Sequence, residues 1–369
     1  MKFKTYVLFW LLFGVLADTV IGLTLMKGAC LGWLALLCLP TLVAGICLPF
    51  IATGTRYADS LRVFSYLIFI FELPKTITAL FGLFLPAIAA VAIGVADSLF
   101  FLVFIFYVTR HLVVINTKLS FDNLPESANG LKICQIADFH LGSFGRVSPY
   151  IGHIVKTVMA QKPDVILFSG DLVNFEAKEA FHYRDTLQAL KAPLGVYSCM
   201  GNHDFLLHGP HDNNEASRKE DMARLEEFEK SLGWKVLRNQ NVELVPGVSI
   251  IGVDNITKNP YFQKVGGNLT KAMEGVPPHN LKILLSHDPT HWRLQVLPQT
   301  DVDLMLSGHT HGLKYKLTGL HPNHWRLHES SGIYREGKQV LNVTAGLGSA
   351  FAFRLGGFPH IDVITLTKT

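Results

Sequence analysis

Five short blocks of the sequence gather side chains that bind metal ions: A-D-F-H at 137–140, S-G-D at 169–171, M-G-N-H-D at 200–204, S-H-D at 286–288 and S-G-H-T-H at 307–311. They offer Asp138, His140, Asp171, Asn202, His287, His309 and His311 as oxygen and imidazole ligands, with His203 and Asp204 set among them. A mixture of Asp, Asn and His without thiolate suits first-row divalent ions, whereas Ca²⁺ or Mg²⁺ prefers nearly all oxygens. Such a set is too large for one tetrahedral zinc and right for two ions, Mn, Fe or Zn, that share a carboxylate. Two such ions bring the pKa of a shared water from about 15.7 towards about 7 and neutralise phosphoryl oxygens, so the pattern points to hydrolysis at phosphorus. Each block alone has a plainer reading: D-x-H as a surface turn, Asp171 as a helix cap, H-x-H as a solvated turn. Together, in this order, they read as one site.

Each block closes a short apolar run rich in β-formers: 131–137, 165–169, 195–200, 281–286 and 304–307. Continuous apolar runs of this length are strands buried on both faces. Helical stretches lie between them at 149–161 and 215–232, the second with an apolar stripe of Met222, Leu225, Phe228 and Leu232. Further strands are expected at 248–253, 339–344 and 361–366. The result is an α/β sandwich whose ligands sit where α/β sheets bind, beyond the carboxyl ends of the strands. Glycine before Asp171, Asn202 and His309 lets the chain turn sharply there.

Residues 1–115 read differently. Four stretches, 5–26, 29–52, 61–84 and 87–109, stay apolar over the roughly 20 residues that a bilayer core requires. The first follows Lys2 and Lys4, is longer than a signal-peptide core and lacks a small-x-small cleavage site and twin arginines, so it reads as a retained helix. The third carries Glu72, Pro74 and Lys75 in its middle. A helix whose Glu72 and Lys75 partly neutralise each other is the expectation there, with a re-entrant pair as the alternative. Lys2 and Lys4, Arg56 and Arg62, then Arg110 and Lys118 mark one side, and Lys27 the other. By the positive-inside rule the N-terminus and the domain after four spans are cytoplasmic. Asp18 and Asp97 within the spans admit transport or a proton path, or else a polar contact between helices or a position near the interface; the plainer pair is favoured, and the lack of a repeat relating the two helical pairs weakens transport further. The expected division is a membrane domain over 1–115, a polar linker over 116–130 and a soluble domain over 131–369.

Of the 33 Lys/Arg and 29 acids, seven and four lie before residue 116, which leaves the rest with 26 against 25 and a net charge of +1. That balance argues against nucleic acid, whose binding rests on many Lys/Arg–phosphate contacts. The five cysteines, Cys30, Cys38, Cys47, Cys134 and Cys199, form no C-x-x-C pair and read as free buried thiols.

The series D-x-H, G-D, G-N-H-D, H, G-H-T-H resembles the calcineurin-like metallophosphoesterase family over 131–369. The resemblance implies a four-layer α/β/β/α sandwich with a dimetal centre at the strand ends. By matched position, one ion would be held by Asp138, His140, Asp171 and His311, and the second by Asp171, Asn202, His287 and His309, with Asp171 as the bridge. It also implies that His203 sits beside the substrate phosphate, to protonate or hydrogen-bond the departing oxygen, with Asp204 orienting its ring. The membrane segments and G-L-G…R (346–348, Arg354) are similar to a bacterial lipid-linked branch that includes a pyrophosphatase of UDP-2,3-diacylglucosamine, which implies the inner membrane. After G-H-T-H-G the chain has Leu313 and Lys314 where many of those relatives have Gly-Gln. Arg354 and His328 are candidates for binding substrate phosphate, and 320–328 reads as a polar loop, or alternatively a lid.

The expected molecule is therefore a set of N-terminal transmembrane helices plus an α/β metallophosphoesterase domain. It is expected to act as a membrane-anchored dimetal phosphoesterase or pyrophosphatase on a phosphorylated small molecule or lipid, surrounded by membrane lipids and without a nucleic-acid partner. Two alternatives stand beside it. One is a phosphatase of soluble substrates. The other is a membrane signalling or transport protein whose phosphatase-like domain only binds ligand, a reading that a missing metal ligand would favour; here every ligand position is filled.

Overall fold

The computed structural model describes residues 3–25, 31–53, 56–211, 214–260, 263–312, 328–350, 354 and 357–369. The chain divides into two compact units, one over Met1–Val108 and the other over Thr109–Ala350 with Arg354–Thr369.

In the first unit the four apolar stretches are helices: Phe3–Thr24, Leu31–Thr53, Tyr57–Gly82 and Ala87–Val108. By length and composition two of them, Tyr57–Gly82 and Ala87–Val108, can cross a membrane, and the other two supply shorter apolar helices at Leu8–Thr24 and Ala35–Ile51. Tyr57–Gly82 runs without a break through Glu72, Pro74 and Lys75, in place of the alternative re-entrant pair. A π-helical turn over Ile68–Glu72 precedes Pro74, which stands near the start of the following α-helical segment, where a missing N–H costs least.

That helix carries a buried polar knot. Lys75 Nζ lies 2.6 Å from Asp18 Oδ1 and 3.0 Å from Glu72 Oε1, and donates to the Thr41 hydroxyl at 2.7 Å. Thr41 in turn donates to Asp18 Oδ2 at 2.6 Å. Three helices are thereby tied at one level, and Asp18 makes the polar interhelical contact that was favoured over a proton path.

The second unit contains two six-stranded sheets. The first comprises β1 (Val113–Phe121), β2 (Lys132–Ile136), β3 (Val165–Phe168), β4 (Val196–Ser198), β5 (Lys235–Val236) and β12 (His360–Lys368), in the order β1-β12-β2-β3-β4-β5. The second comprises β6 (Gln240–Val245), β7 (Val248–Gly252), β8 (Leu281–Leu285), β9 (Leu304–Ser307), β10 (Gly332–Glu336) and β11 (Gln339–Val343), in the order β10-β11-β9-β8-β7-β6. β2, β3 and β4 are parallel neighbours, as are β7, β8, β9 and β11.

The strands alternate between two cores, which is why they read as unbroken apolar runs. On β3, Val165 and Leu167 enter the layer between the sheets, while Ile166 and Phe168 meet the helices Pro149–Ala160 and Glu215–Ser231. On β8 and β9, Ile283, Leu285, Leu304 and Leu306 fill the same central layer, while Leu284 and Met305 pack outward with Leu269, Trp292 and Val296. Helix, sheet, sheet, helix is thus the layering. Near the strand ends the two sheets are joined by buried hydrogen bonds: Gln135 Nε2 to the Ser307 carbonyl (2.9 Å) and Asn342 Nδ2 to Gln135 Oε1 (2.8 Å).

The stretch expected as a linker differs most. Residues 113–121 form β1, parallel to β12 over nine paired positions from Val113↔His360 to Phe121↔Lys368. Its outward side chains alternate with the buried Leu119 and Phe121, so on the page it looks polar. Cys47, Cys134 and Cys199 are buried free thiols and Cys38 a partly buried one; Cys30 lies outside the described residues.

Candidate metal centre

Five strands deliver the candidate ligands. β2 ends before Asp138, β3 before Asp171, β4 before Asn202, β8 before His287 and β9 before His309, all in loops at carboxyl ends of parallel strands. The backbone there is held in the left-handed region at Asp138 (φ 53°), His140 (48°), Asp171 (63°), His309 (72°) and His311 (51°). Each such non-glycine residue costs about 1–3 kcal/mol and persists only where its surroundings over-determine it. The packing leaves no slack: a Cβ on Gly201 would sit 2.2 Å from Asp171 Oδ1.

Three overlapping triads result, each with its ligand atoms within 4.8 Å of one another: Asp138–His140–His311, His140–Asp171–His203 and Asp171–His287–His309. Asp171 belongs to two of them. Its Oδ2 lies 3.5 Å from His140 Nε2 and 3.0 Å from His287 Nε2, while its Oδ1 accepts the His203 N–H at 2.8 Å. Asn202 Oδ1 joins the third triad, 3.1 Å from His287 Nε2 and 2.8 Å from His309 Nδ1. The seven expected ligands and His203 therefore stand together.

The residues present fit a bound cation. His140 is fully buried, yet neither of its ring nitrogens has a hydrogen-bond partner, and the buried Nδ1 of His311 has none either. Buried polar atoms are normally satisfied, and such vacancies call for an explanation. Burial holds both imidazoles well below the ordinary histidine value, helped at His140 by the charge of His203 and at His311 by that of His140. They are neutral, the state in which imidazole binds a metal. His287 behaves oppositely: burial works against its charge, but the charge and hydrogen bond of Asp171, the charge of Asp138 and the Ser169 carbonyl together lift it to about 10.

Outer contacts fix the rings. His287 Nδ1–H donates to the Ser169 carbonyl at 2.8 Å, leaving Nε2 towards Asp171. His309 Nε2 lies 3.6 Å from Asp288 Oδ2; burial holds this imidazole below the ordinary histidine value, and the Asp288 charge opposes that shift. Asp288 escaped the sequence reading although it directly follows His287; an acid beside a ligand block was the available signal.

Two assignments need correction. Asp204 does not orient His203. Its carboxylate accepts backbone N–H groups from Asp171 (2.7 Å), Leu172 (2.8 Å), Gly201 (2.9 Å) and Val173 (3.3 Å), so it folds the loop under Asp171. The His203 ring is held through Nδ1 by the Asn174 carbonyl at 2.7 Å. Arg354 is not placed to bind substrate: it is 1% exposed, and its guanidinium faces backbone carbonyls. His328 is exposed and belongs to none of the triads among the described residues. Leu313, Lys314 and 320–327 lie outside the described residues.

Known proteins are similar to this chain in sequence. A family model described as calcineurin-like phosphoesterase matches residues 131–313, which takes in all seven expected ligands. The Bos taurus "Transmembrane protein with metallophosphoesterase domain" is 32% identical over 199 residues, 51% of this chain and 42% of that protein. The Escherichia coli "Phosphodiesterase YaeI" is 30% identical over 263 residues, 69% of this chain and 87% of the relative. The Chlamydia muridarum "UDP-2,3-diacylglucosamine pyrophosphatase LpxG" is 25% identical over 285 residues, 64% of this chain and 83% of the relative. The chain thus spans less than half of the bovine protein and most of the two bacterial ones. With the ligand blocks on one rim of a two-sheet sandwich and this breadth of likeness, the chain is a member of the calcineurin-like phosphoesterase family.

Proposed function

We propose that the protein is a membrane-anchored dimetal phosphoesterase that hydrolyses the phosphate ester or diphosphate bond of a lipid or nucleotide-lipid. The observation that carries the reading is the meeting of two ligand triads at Asp171, with three imidazole nitrogens beside it left unpartnered. Asp138, His140, Asp171 and His311 would hold one divalent cation, and Asp171, Asn202, His287 and His309 the other. Bound there, such cations supply an activated water and neutralise charge on the phosphoryl oxygens. His203 supplies the proton. Its Nδ1–H is committed to the Asn174 carbonyl, so only the cationic ring can donate from Nε2 to the departing oxygen. Phe175 and His208 pack against that ring, with centroids at 6.2 Å and 5.3 Å, and keep it facing the triads.

Anchoring is supported by the four apolar helices, whose outward side chains include Leu12, Leu16, Leu39, Ile46, Leu80, Ile88 and Val103, and by the printed name of the bovine relative. The basic residues on one side of those helices favour an inner-membrane protein with its catalytic unit in the cytoplasm. The name of the chlamydial relative favours a diphosphate joined to a lipid.

The test is hydrolysis by full-length, detergent-solubilised protein loaded with Mn²⁺ or Zn²⁺. Bis-p-nitrophenyl phosphate, p-nitrophenyl phosphate and UDP-2,3-diacylglucosamine are the probes. Metal-dependent cleavage of a diester or diphosphate is expected, and a protein that holds two ions yet cleaves none of the three would overturn the reading. Fusion of alkaline phosphatase after Arg110, ahead of β1, tests the orientation, and an active fusion would place the unit outside.

A further inference from the structure

Arg354 lies beyond the last ligand block, in a stretch that the metal chemistry does not use, yet it is among the largest fully buried side chains of the protein. Its guanidinium has five N–H donors, and five carbonyls receive them. Nε donates to Gly357 at 3.1 Å. Nη1 donates to Gly346 at 3.2 Å and Gly348 at 2.5 Å, and Nη2 to His311 at 3.4 Å and to Ala345. No donor remains for a substrate phosphate.

Four of those carbonyls belong to two turns that frame one triad, and the fifth, that of Gly357, lies just ahead of β12. The first is the G-H-T-H turn itself, through the carbonyl of the ligand His311, which also accepts the Gly357 N–H at 3.1 Å. The second is the turn 345–348, which leans directly on the ligand Asp138. Leu347 N–H donates to the Ala137 carbonyl at 2.9 Å and Gly348 N–H to the Asp138 carbonyl at 2.6 Å. The contact is so close that a Cβ on Gly346, whose φ is +71°, would lie 2.5 Å from the Asp138 Cβ. On its other side the turn is held by His360, whose Nε2 accepts the Ala345 N–H at 3.0 Å. Asp138 and His311 come from opposite sheets, after β2 and β9. Among the described residues, one side chain hydrogen-bonds both to the His311 backbone and to the turn packed on Asp138.

We infer that Arg354 is a positioning residue for one half of the metal centre: it fixes Asp138 and His311 against each other, while the rings of His287 and His309 keep braces of their own. The inference rests on the dimetal reading proposed above. The other half has its own braces, in the Ser169 carbonyl behind His287 and Asp288 behind His309, and Arg354 contacts neither. A planar five-donor fork matches five convergent carbonyls; an ammonium offers three donors from one point and cannot reach all of them.

The experiment is Mn²⁺ binding by metal-free, full-length protein in detergent, counted by equilibrium dialysis, with electron paramagnetic resonance distinguishing a coupled pair from an isolated ion. Wild type is expected to bind two ions. Arg354→Gln should weaken one of them by roughly 10–100-fold, the usual effect of removing an outer-shell partner, and change the other by no more than a few-fold. Arg354→Lys should fall between. The ion that survives in Arg354→Gln should be lost on adding His287→Ala and kept on adding His311→Ala. A merely structural role would not produce that site-selective pattern. Two ions bound to Arg354→Gln as in wild type, or equal weakening of both, would overturn the inference. So would unfolding of both variants by circular dichroism in saturating Mn²⁺, since Arg354 would then serve the fold at large. A wild type that bound one ion or none would instead remove the dimetal reading and the inference with it.

Discussion

The protein holds two buried clusters of acids and bases, and they are built on opposite plans. In the helical unit, Asp18, Thr41, Glu72 and Lys75 close on one another, with contacts of 2.6 to 3.2 Å among them. In the α/β unit, Asp138, His140, Asp171, Asn202, His287, His309 and His311 converge more loosely, with His140 Nε2 3.9 Å from Asp138 Oδ1 and 3.5 Å from Asp171 Oδ2, and His140 and His311 keep buried nitrogens without hydrogen-bond partners. The first cluster is complete as it stands. The second is complete only with something added, and most of its members sit on strained backbone. Burial and charge are common to both, so neither property marks a functional site. What sets the second cluster apart is that unpartnered imidazole nitrogens converge there with carboxylates into overlapping triads.

The largest effect that tests this contrast comes from Asp171, the member of two triads. Asp171→Asn should lower the metal count from two ions to one or none, and should lower turnover by more than the ~10²–10⁴-fold expected for loss of a general acid. Elemental analysis beside the hydrolysis assay measures both. Chelation should destabilise the α/β unit and leave the helical unit's far-ultraviolet signal unchanged; an equal response from both would break the contrast.

His203→Ala comes next. It should cost roughly 10²–10⁴-fold in turnover with metal content intact, and the loss should shrink for p-nitrophenol as leaving group, which hardly needs a proton. A loss independent of the leaving group would reduce His203 to positioning.

The helical cluster predicts the converse behaviour. Lys75→Met strands two buried carboxylates, and removing one partner of a buried pair costs about 3–5 kcal/mol. The unfolding midpoint of detergent-solubilised protein should fall accordingly, while each folded molecule turns over substrate at the wild-type rate. A stable variant with altered turnover would mean that the knot takes part in function.

The smallest effect sharpens one corner of the metal centre. Asp204→Asn keeps one of two accepting oxygens, so it should cost about 1–3 kcal/mol of stability. Its dependence on leaving group should match wild type, in contrast to His203→Ala, because Asp204 serves the loop and not the ring.

Much of this was legible in the residues. Strands such as β3 and β8 are readable because both of their faces are buried, so they run almost wholly apolar, and the candidate ligands that follow stand out by type and spacing. β1 and β10 were missed for the opposite reason: they lie at sheet edges, and their exposed positions carry Asn116, Lys118, Arg335 and Glu336, which look like loop. The roles of Asp204 and Arg354 were misread because their partners are main-chain amides and carbonyls. Every residue has those, so no spacing or composition can announce which ones converge. Asp18 and Lys75 were separately visible as charges in apolar stretches, but their pairing across 57 positions depends on how the helices pack.

The pairing of β1 with β12 imposes a timetable. Ser120 and Thr367, neighbours across that ladder, are 247 residues apart. At about 5–20 residues per second a ribosome takes roughly 12–50 s to cover that distance. Through that interval β1 stands finished with no strand to join, and β2 lacks the neighbour on one of its edges. Nascent chains of this protein therefore pass through a window in which two strand edges are open to other chains. The first sheet, with Asp138 at the end of β2, closes only after residue 368 has been made.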